Sequence, residues 1–330
     1  MYEYAVVGLG VAGLLVLAHL PATTNVLVLE RGMVGGALAT DYAHVMANIP
    51  SKALAATLRR LPGCASAALP FLDGIGGDEC PVLSDLVKQL KALVAPRLKQ
   101  VTYRSTSVTR VEREKEGWRV TGETGSWLAK RAILCTGAAP VTMDLPIPHV
   151  PLPIALSPLA LSRTLDKGAR VVVFGTAHSG TLVLKALRDA NIQGVTAVHR
   201  GSVPFRFARD GDTEGIKQES AVIADEILAG SWPGLTLVST EDVGSLQRVL
   251  LNADAVIYSI GFRTYLNFPV LDGSGSLVSS DTIVARKIPD LFGFGIGFPS
   301  LYTAPNGKQY PDVGFAGFID AIVGSLPLLV

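Results

Sequence analysis

Apolar positions in the first thirty residues fall into blocks separated by glycines. Tyr4–Val7 is a short apolar run that predicts a buried strand. Gly8-Leu9-Gly10-Val11-Ala12-Gly13 follows as a tight turn, and Leu14–Leu20 predicts a helix that Pro21 stops. Asn25–Leu29 predicts a second strand, closing on Glu30. Helical spacing returns near Ser51–Leu61 and Ser84–Val94. Residues 101–135 alternate between polar and β-branched positions, with turns at Glu116-Gly117 and Thr124-Gly125. They predict an antiparallel meander that ends in the strand Arg131–Cys135 and then Thr136-Gly137. A proline-rich stretch, 140–158, reads as a connector.

The opening pattern then repeats. Arg170–Phe174 predicts a strand, Gly175-Thr176-Ala177-His178-Ser179-Gly180 a turn, Thr181–Ala190 a helix, and Gly194–Val198 a strand running into His199-Arg200. The strand Ala255–Ile260 leads to Gly261-Phe262-Arg263, and Leu291–Phe294 leads to Gly295-Ile296-Gly297. A last apolar helix begins near Val313, behind Pro311-Asp312, with its N-terminus free to face a polarised group of a bound cofactor.

Strand, G-x-G-x-x-G, helix, strand and a closing acid form the dinucleotide fingerprint. Gly8 makes the turn, Gly10 lets backbone approach a pyrophosphate, and Gly13 lets helix and strand pack closely. Backbone N–H groups of Val11, Ala12 and Gly13 then point at the phosphates, and Glu30 accepts from ribose hydroxyls. The competing reading is an accidental glycine turn. In the second copy Ala177 stands in place of the middle glycine, and the strand runs on to Arg200, which suits a 2′-phosphate. The chain thus reads as an FAD- or NAD-type site followed by an NADP-type site. A Rossmann-like domain whose second turn no longer binds a nucleotide stays open.

Composition narrows the class. The 330 residues are 48% hydrophobic and 17% charged, with 29 Lys+Arg against 28 Asp+Glu. That balance excludes a mainly disordered chain and gives no reason to expect a nucleic-acid partner. The longest candidate membrane span, Ala5–Ala18, is interrupted by three glycines and shorter than the ~18–20 residues a span needs. The run is entered from Met-Tyr-Glu-Tyr with no basic region ahead of it, so a cytoplasmic protein without a membrane span is expected. Cys64, Cys80 and Cys135 are too few and scattered for a disulfide framework, and no C-x-x-C occurs. No metal-ligand spacing is present. The assembly state is open, a homodimer included.

Two dinucleotide modules with an intervening meander and a returning C-terminal stretch resemble the two-dinucleotide-binding-domain flavoproteins. That family includes thioredoxin and glutathione-type reductases and the flavin-containing monooxygenases. The supporting residues are Gly8, Gly10 and Gly13 with Glu30, then Gly35-Gly36, Thr136-Gly137, Gly261-Phe262 and the stretch Val198–Arg206. The resemblance implies an α/β fold of two Rossmann-like, three-layer ββα domains, the second inserted into the first. Residues 1–145 and 265–330 would bind FAD, and 146–264 would bind NADPH. It further implies cofactor-lining roles for Arg31, Val108, Gly295, Gly297, Val313 and Gly314. In the inserted domain it implies them for Gly175, Thr176, Ala177, His178, Ser179 and Gly180, with Arg200 and Arg206 on the 2′-phosphate.

Departures from the family pattern set the chemistry. "NIPSKAL" (Asn48–Leu54) is similar to the segment after the redox cysteines of glutathione-reductase-like enzymes, but Asn48 stands where the nearer cysteine would be. The same stretch looks like the monooxygenase sequence whose Asn lies beside the flavin. This nominates Asn48 as a catalytic residue, against the alternative of a helix-capping or turn Asn. The family's Gly-Asp, whose acid binds the ribityl chain, is Gly295-Ile296 here. His178 is either a nicotinamide or phosphate contact or a helix-start residue that merely fits, and Asp41, Tyr42 and His44 are either substrate-side or loop residues. The expected activity is an FAD-dependent NADPH oxidoreductase that passes hydride to flavin and then electrons to oxygen or a small substrate, as a monooxygenase does. Two alternatives stand: a reductase of a non-disulfide acceptor such as a quinone, flavin or redox protein, and a flavin-binding protein with little turnover.

Overall fold

The structure is a computed structural model that describes residues 1–209, 215–304 and 307–329. The chain divides into two compact units, Met1–Ala139 with Arg263–Val330, and Pro140–Phe262. Both are α/β.

In the discontinuous unit a parallel sheet carries the first glycine turn. The strand Tyr2–Val7 lies between Val26–Glu30 and the strand Gly125–Leu134, with Thr102–Ser105 beyond Val26–Glu30 and Leu291–Gly293 beyond Leu134. Gly125–Leu134 joins the antiparallel and the parallel parts of one eight-stranded sheet. Its first half pairs antiparallel with Gly117–Gly122, which pairs with Val108–Glu114, and its second half pairs parallel with the first strand. Thr102–Ser105 therefore joins the parallel sheet and not the meander, which is a correction to the sequence reading. Alternation alone is the same for either sheet, and only the partner strand decides.

Two apolar layers hold this unit together. One face of the parallel sheet packs on the helices Val11–His19, Ser51–Leu58, Leu83–Leu98 and Phe315–Val323, through Val6, Val28, Leu14, Leu54, Leu90 and Ile319. The other face, with Ala5, Val7, Leu27 and Leu29, packs on the meander through Val111, Trp118 and Val120. Sheet, helices and meander thus form three layers, as expected from the resemblance. The helix Val11–His19 buries almost every side chain, so its place is set by apolar burial at roughly 1.5–3 kcal/mol per large side chain.

The continuous unit has a four-stranded, fully parallel sheet in the order Leu235–Ser239, Gly194–His199, Arg170–Phe174, Ala255–Tyr258. The helices His178–Asp189 and Glu219–Leu228 lean on each other beside it. The proline-rich connector is not unstructured: Leu152–Ala155 and Pro158–Thr164 are short helices, each with a proline in its first turn. The C-terminal helix starts at Phe315, two residues later than the apolar run suggested.

Candidate nucleotide sites

Each unit has a glycine turn between its first strand and first helix, and the two turns are geometric copies. Gly8 (φ 95°) and Gly175 (φ 98°) both take left-handed backbone. In both, a Cβ would collide with a carbonyl at the end of the neighbouring strand, that of Cys135 or of Ser259. Likewise a Cβ on Gly13 would strike the Gly8 carbonyl, and one on Gly180 the Gly175 carbonyl. Gly10 and Ala177 occupy the same helix-capping position with φ/ψ of −70°/−167° and −75°/−166°. An L residue adopts that conformation without strain. Ala177 therefore costs only the space of one methyl group in front of the turn.

Neither helix has an acidic residue in its first turn or a side-chain cap, so each presents unneutralised N–H groups at its start. The second glycine pair closes on the first turn. Gly35 N–H donates to the Leu9 carbonyl at 2.8 Å, and Gly36 lies Cα to Cα against Gly10. Gly295 packs on the Ala12 side chain and Gly297 on the Gly137 carbonyl, while the Thr264 hydroxyl donates to the Gly297 carbonyl at 2.6 Å. The structure thus gathers Gly8, Gly10, Val11, Ala12, Gly13, Gly35, Gly36, Thr136, Gly137, Gly295 and Gly297 around one turn. Val108 is buried at the start of its strand, next to Thr106, whose N–H donates to the Glu30 carbonyl at 3.0 Å.

The strand ends differ in chemistry. Glu30 is buried and braces the turn: its carboxylate accepts from the Leu9 N–H and, at 2.7 Å, from the Gly32 N–H. Lone pairs remain on both oxygens for ribose hydroxyls. Arg31 is drawn onto Tyr265, donating to its hydroxyl at 2.9 Å with the guanidinium 4.6 Å from the ring centroid. An acid and an occupied arginine both disfavour a 2′-phosphate there.

In the continuous unit the hydrogen-bond register is instructive. Gly8 N–H donates to the Leu29 carbonyl and Gly175 N–H to that of Val198. Thr106 N–H donates to Glu30 and Thr240 N–H to His199. His199, and not Arg200, therefore stands where Glu30 stands, and Arg200 stands where Arg31 does. Arg200 is exposed. Arg206 is also exposed.

Some of the buried polar atoms without partners lie beside the two turns. Among the described residues, His178 Nδ1, His199 Nδ1 and Ser259 Oγ flank the second turn, and Thr136 Oγ1 follows the strand beside the first. Such atoms are costly unless a ligand or water satisfies them, so both turns fit a polar, phosphate-bearing dinucleotide. Burial, and after it the charge of Lys217, lowers the His178 pKa from 6.5 to about 4, leaving a neutral imidazole at neutral pH. Sequence reasoning missed both Lys217 and His199.

Other nominated residues are placed differently. Asn48 is half-buried and does not cap the following helix, whose capping residue is Pro50. Gly261 precedes the strand Phe262–Thr264, and its carbonyl accepts from the Val141 N–H at 2.9 Å. Val313 and Gly314 precede the helix Phe315–Val323: Asp312 Oδ1 accepts from the Gly314 N–H at 3.1 Å, and its carboxylate lies against Gly317. Burial holds the Tyr42 hydroxyl up at about 12, with Asp41 adding to the shift. Burial pushes the Cys135 and Cys64 thiols up, opposite to what a reactive thiolate needs. Among the described residues no group of three or more His, Cys, Asp or Glu is placed to hold a metal, and no helix is long and apolar enough to cross a membrane.

No family model matches the sequence. Monooxygenase AgnR1 of Paecilomyces divaricatus is 26% identical over 232 residues, which cover 59% of this chain and 58% of the relative, so the chain spans little more than half of that protein. Among solved structures, a flavin-containing monooxygenase from Stenotrophomonas maltophilia shares the fold with a TM-score of 0.63 and 17% identity, covering 99% of this chain and 98% of that one. The bacillithiol disulfide reductase of Bacillus cereus gives 0.62 at 16% identity, covering 99% and 98%, and the thioredoxin reductase of T. acidophilum 0.55 at 14%, covering 99% and 97%. The chain has the two-domain α/β fold common to these oxidoreductases.

Proposed function

We propose that the chain is an FAD-dependent NADPH oxidoreductase. FAD would bind the discontinuous unit and NADPH the continuous one, with electrons passed on to oxygen or a small acceptor. The observation that carries this reading is the pair of matched glycine turns with opposite chemistry at their strand ends: Glu30 with an engaged Arg31 in one, His199 with an exposed Arg200 in the other. In the first unit, Gly10 and Gly36 leave the backbone bare where a pyrophosphate would lie, the start of helix Val11–His19 supplies N–H donors, and Glu30 holds the ribose. In the second, the start of helix His178–Asp189 takes the phosphates, and Arg200 and Arg206 take the 2′-phosphate. When bound, the flavin supplies the two-electron chemistry. Asn48, with an amide that donates and accepts, is the side chain assigned to orient it. Oxygen is favoured over a disulfide as acceptor because the sequence has no C-x-x-C pair and the Cys64 and Cys135 thiols have raised pKa values.

Visible spectra of the purified protein before and after anaerobic NADPH test the reading. Flavin bands that bleach with NADPH support it, and their absence overturns it. Reoxidation by air, with an oxygenated product, marks the monooxygenase branch. Turnover that needs an added quinone, flavin or redox protein marks the reductase branch.

A further inference from the structure

The two turns are braced by different means. In the discontinuous unit the second residue of the turn is the buried, apolar Leu9, and Glu30 braces it through the backbone. In the continuous unit the same position is Thr176, only 8% exposed, and its hydroxyl donates to the carbonyl of Pro204, 28 residues further on. That carbonyl belongs to the stretch between Arg200 and Arg206. The stretch has two further ties: the Ser239 hydroxyl donates to the Gly201 carbonyl at 2.9 Å, and the Ile216 N–H donates to the Arg206 carbonyl at 2.8 Å. Phe205, 2% exposed, anchors it from within. Backbone carbonyls are thus turned inward and held, while Arg200 and Arg206 stay exposed.

We infer that Thr176 is a positioning residue for recognition of a 2′-phosphorylated dinucleotide. Its hydroxyl ties the arginine-bearing segment to the turn that takes the pyrophosphate, so the two ends of one ligand are read at a fixed separation. The inference rests on the proposed NADPH reading of this unit. Fixing the segment before binding spares the ordering entropy that a free arginine loop would lose. The tie serves the 2′-phosphate alone, so its loss falls on NADPH and spares NADH.

Dissociation constants for NADPH and NADH, measured by fluorescence on the full chain, are compared for wild type, Thr176→Val, Thr176→Ser and Arg200→Ala, with amide exchange followed across residues 201–207. The expected result is an NADPH constant raised about tenfold in Thr176→Val, with NADH changed less than about twofold. Faster exchange confined to 201–207 and recovery in Thr176→Ser should accompany it. In an Arg200→Ala background Thr176→Val should lose most of its effect, because both act on one contact. Should valine loosen the whole unit, seen as general exchange, Thr176→Ala removes the hydroxyl without placing a methyl in its stead. Equal loss of NADPH and NADH, or no loss, overturns the positioning role. Wild-type protein that binds NADPH no better than NADH overturns the underlying reading and the inference with it, and the variants are not needed to see that.

Discussion

Glu30 and His178 show how much a single buried side chain determines at these turns. The Glu30 carboxylate satisfies two backbone N–H groups. Glu30→Ala should therefore cost about 2 kcal/mol or more, seen as a lower thermal midpoint in the absence of added cofactor. An unchanged midpoint would show that the brace carries no stability. His178 acts through protons. The unfolded chain takes up a proton near pH 6.5, whereas the folded chain does not until about pH 4, because burial and then Lys217 disfavour the charged ring. Between those values the unfolded state holds more protons, so stability falls as pH drops through that window and levels off below it. Replacing His178 with Gln should flatten this part of the profile by up to about 3 kcal/mol, read from urea titrations at several pH values. His19, lowered mainly by burial, adds a slope of the same sign in both proteins and cancels in the comparison. Parallel profiles would remove His178 as a source of the pH dependence.

At the scale of elements, the last helix makes the clearest test. Asp312 bonds the Gly314 N–H ahead of the helix Phe315–Val323, and its carboxylate fills the space where a Cβ on Gly317 would lie. Asp312→Ala removes the acceptor of the Gly314 N–H and should cost about 1 kcal/mol. Gly317→Ala alone should also destabilise, since the added methyl meets the carboxylate. In the Asp312→Ala background the same Gly317→Ala should turn neutral or stabilising, because alanine favours helix over glycine by about 1 kcal/mol once the obstacle is gone. Additive midpoints from the four proteins would show that the two residues do not oppose each other. This helix also marks what sequence can and cannot tell. The strand–glycine–helix units were legible because every residue that makes them lies within a few positions of the next. The bond from the Gly314 N–H to Asp312 was not, because the apolar run continues through Val313 and hides where the helix begins. His199 was missed for another reason: its match to Glu30 is fixed by the hydrogen bonds from Gly175 to Val198 and from Thr240 to His199, between segments far apart in sequence. The same holds for Thr102–Ser105, whose alternation suits a meander but whose partner is Val26–Glu30. Local punctuation is written in the chain, and partner choice is not.

For the whole molecule, the proposed function with two chemically distinct turns on two units predicts that flavin and nucleotide binding can be separated. A methyl group at Gly13 would strike the Gly8 carbonyl, which neither turn nor helix can move without disturbing the buried strand beneath it. Gly13→Ala should therefore lower flavin content of the purified protein severely, while the dissociation constant for NADPH changes by less than about threefold. Arg200→Ala should do the reverse. Loss of a charge-assisted contact to a phosphate amounts to about 1.5–3 kcal/mol, which raises the NADPH constant roughly 10–150-fold and leaves flavin content and NADH binding as they were. Flavin absorbance against protein absorbance, and nucleotide titrations on the same preparations, measure these quantities. If both variants lose both ligands together, the units do not bind independently, and the assignment of one dinucleotide to each unit fails. If Arg200→Ala weakens NADH as much as NADPH, the arginine supports the turn in general and the 2′-phosphate is read elsewhere. A crossed pattern, each variant losing one ligand only, is the outcome that the opposite chemistry of Glu30 and Arg200 requires.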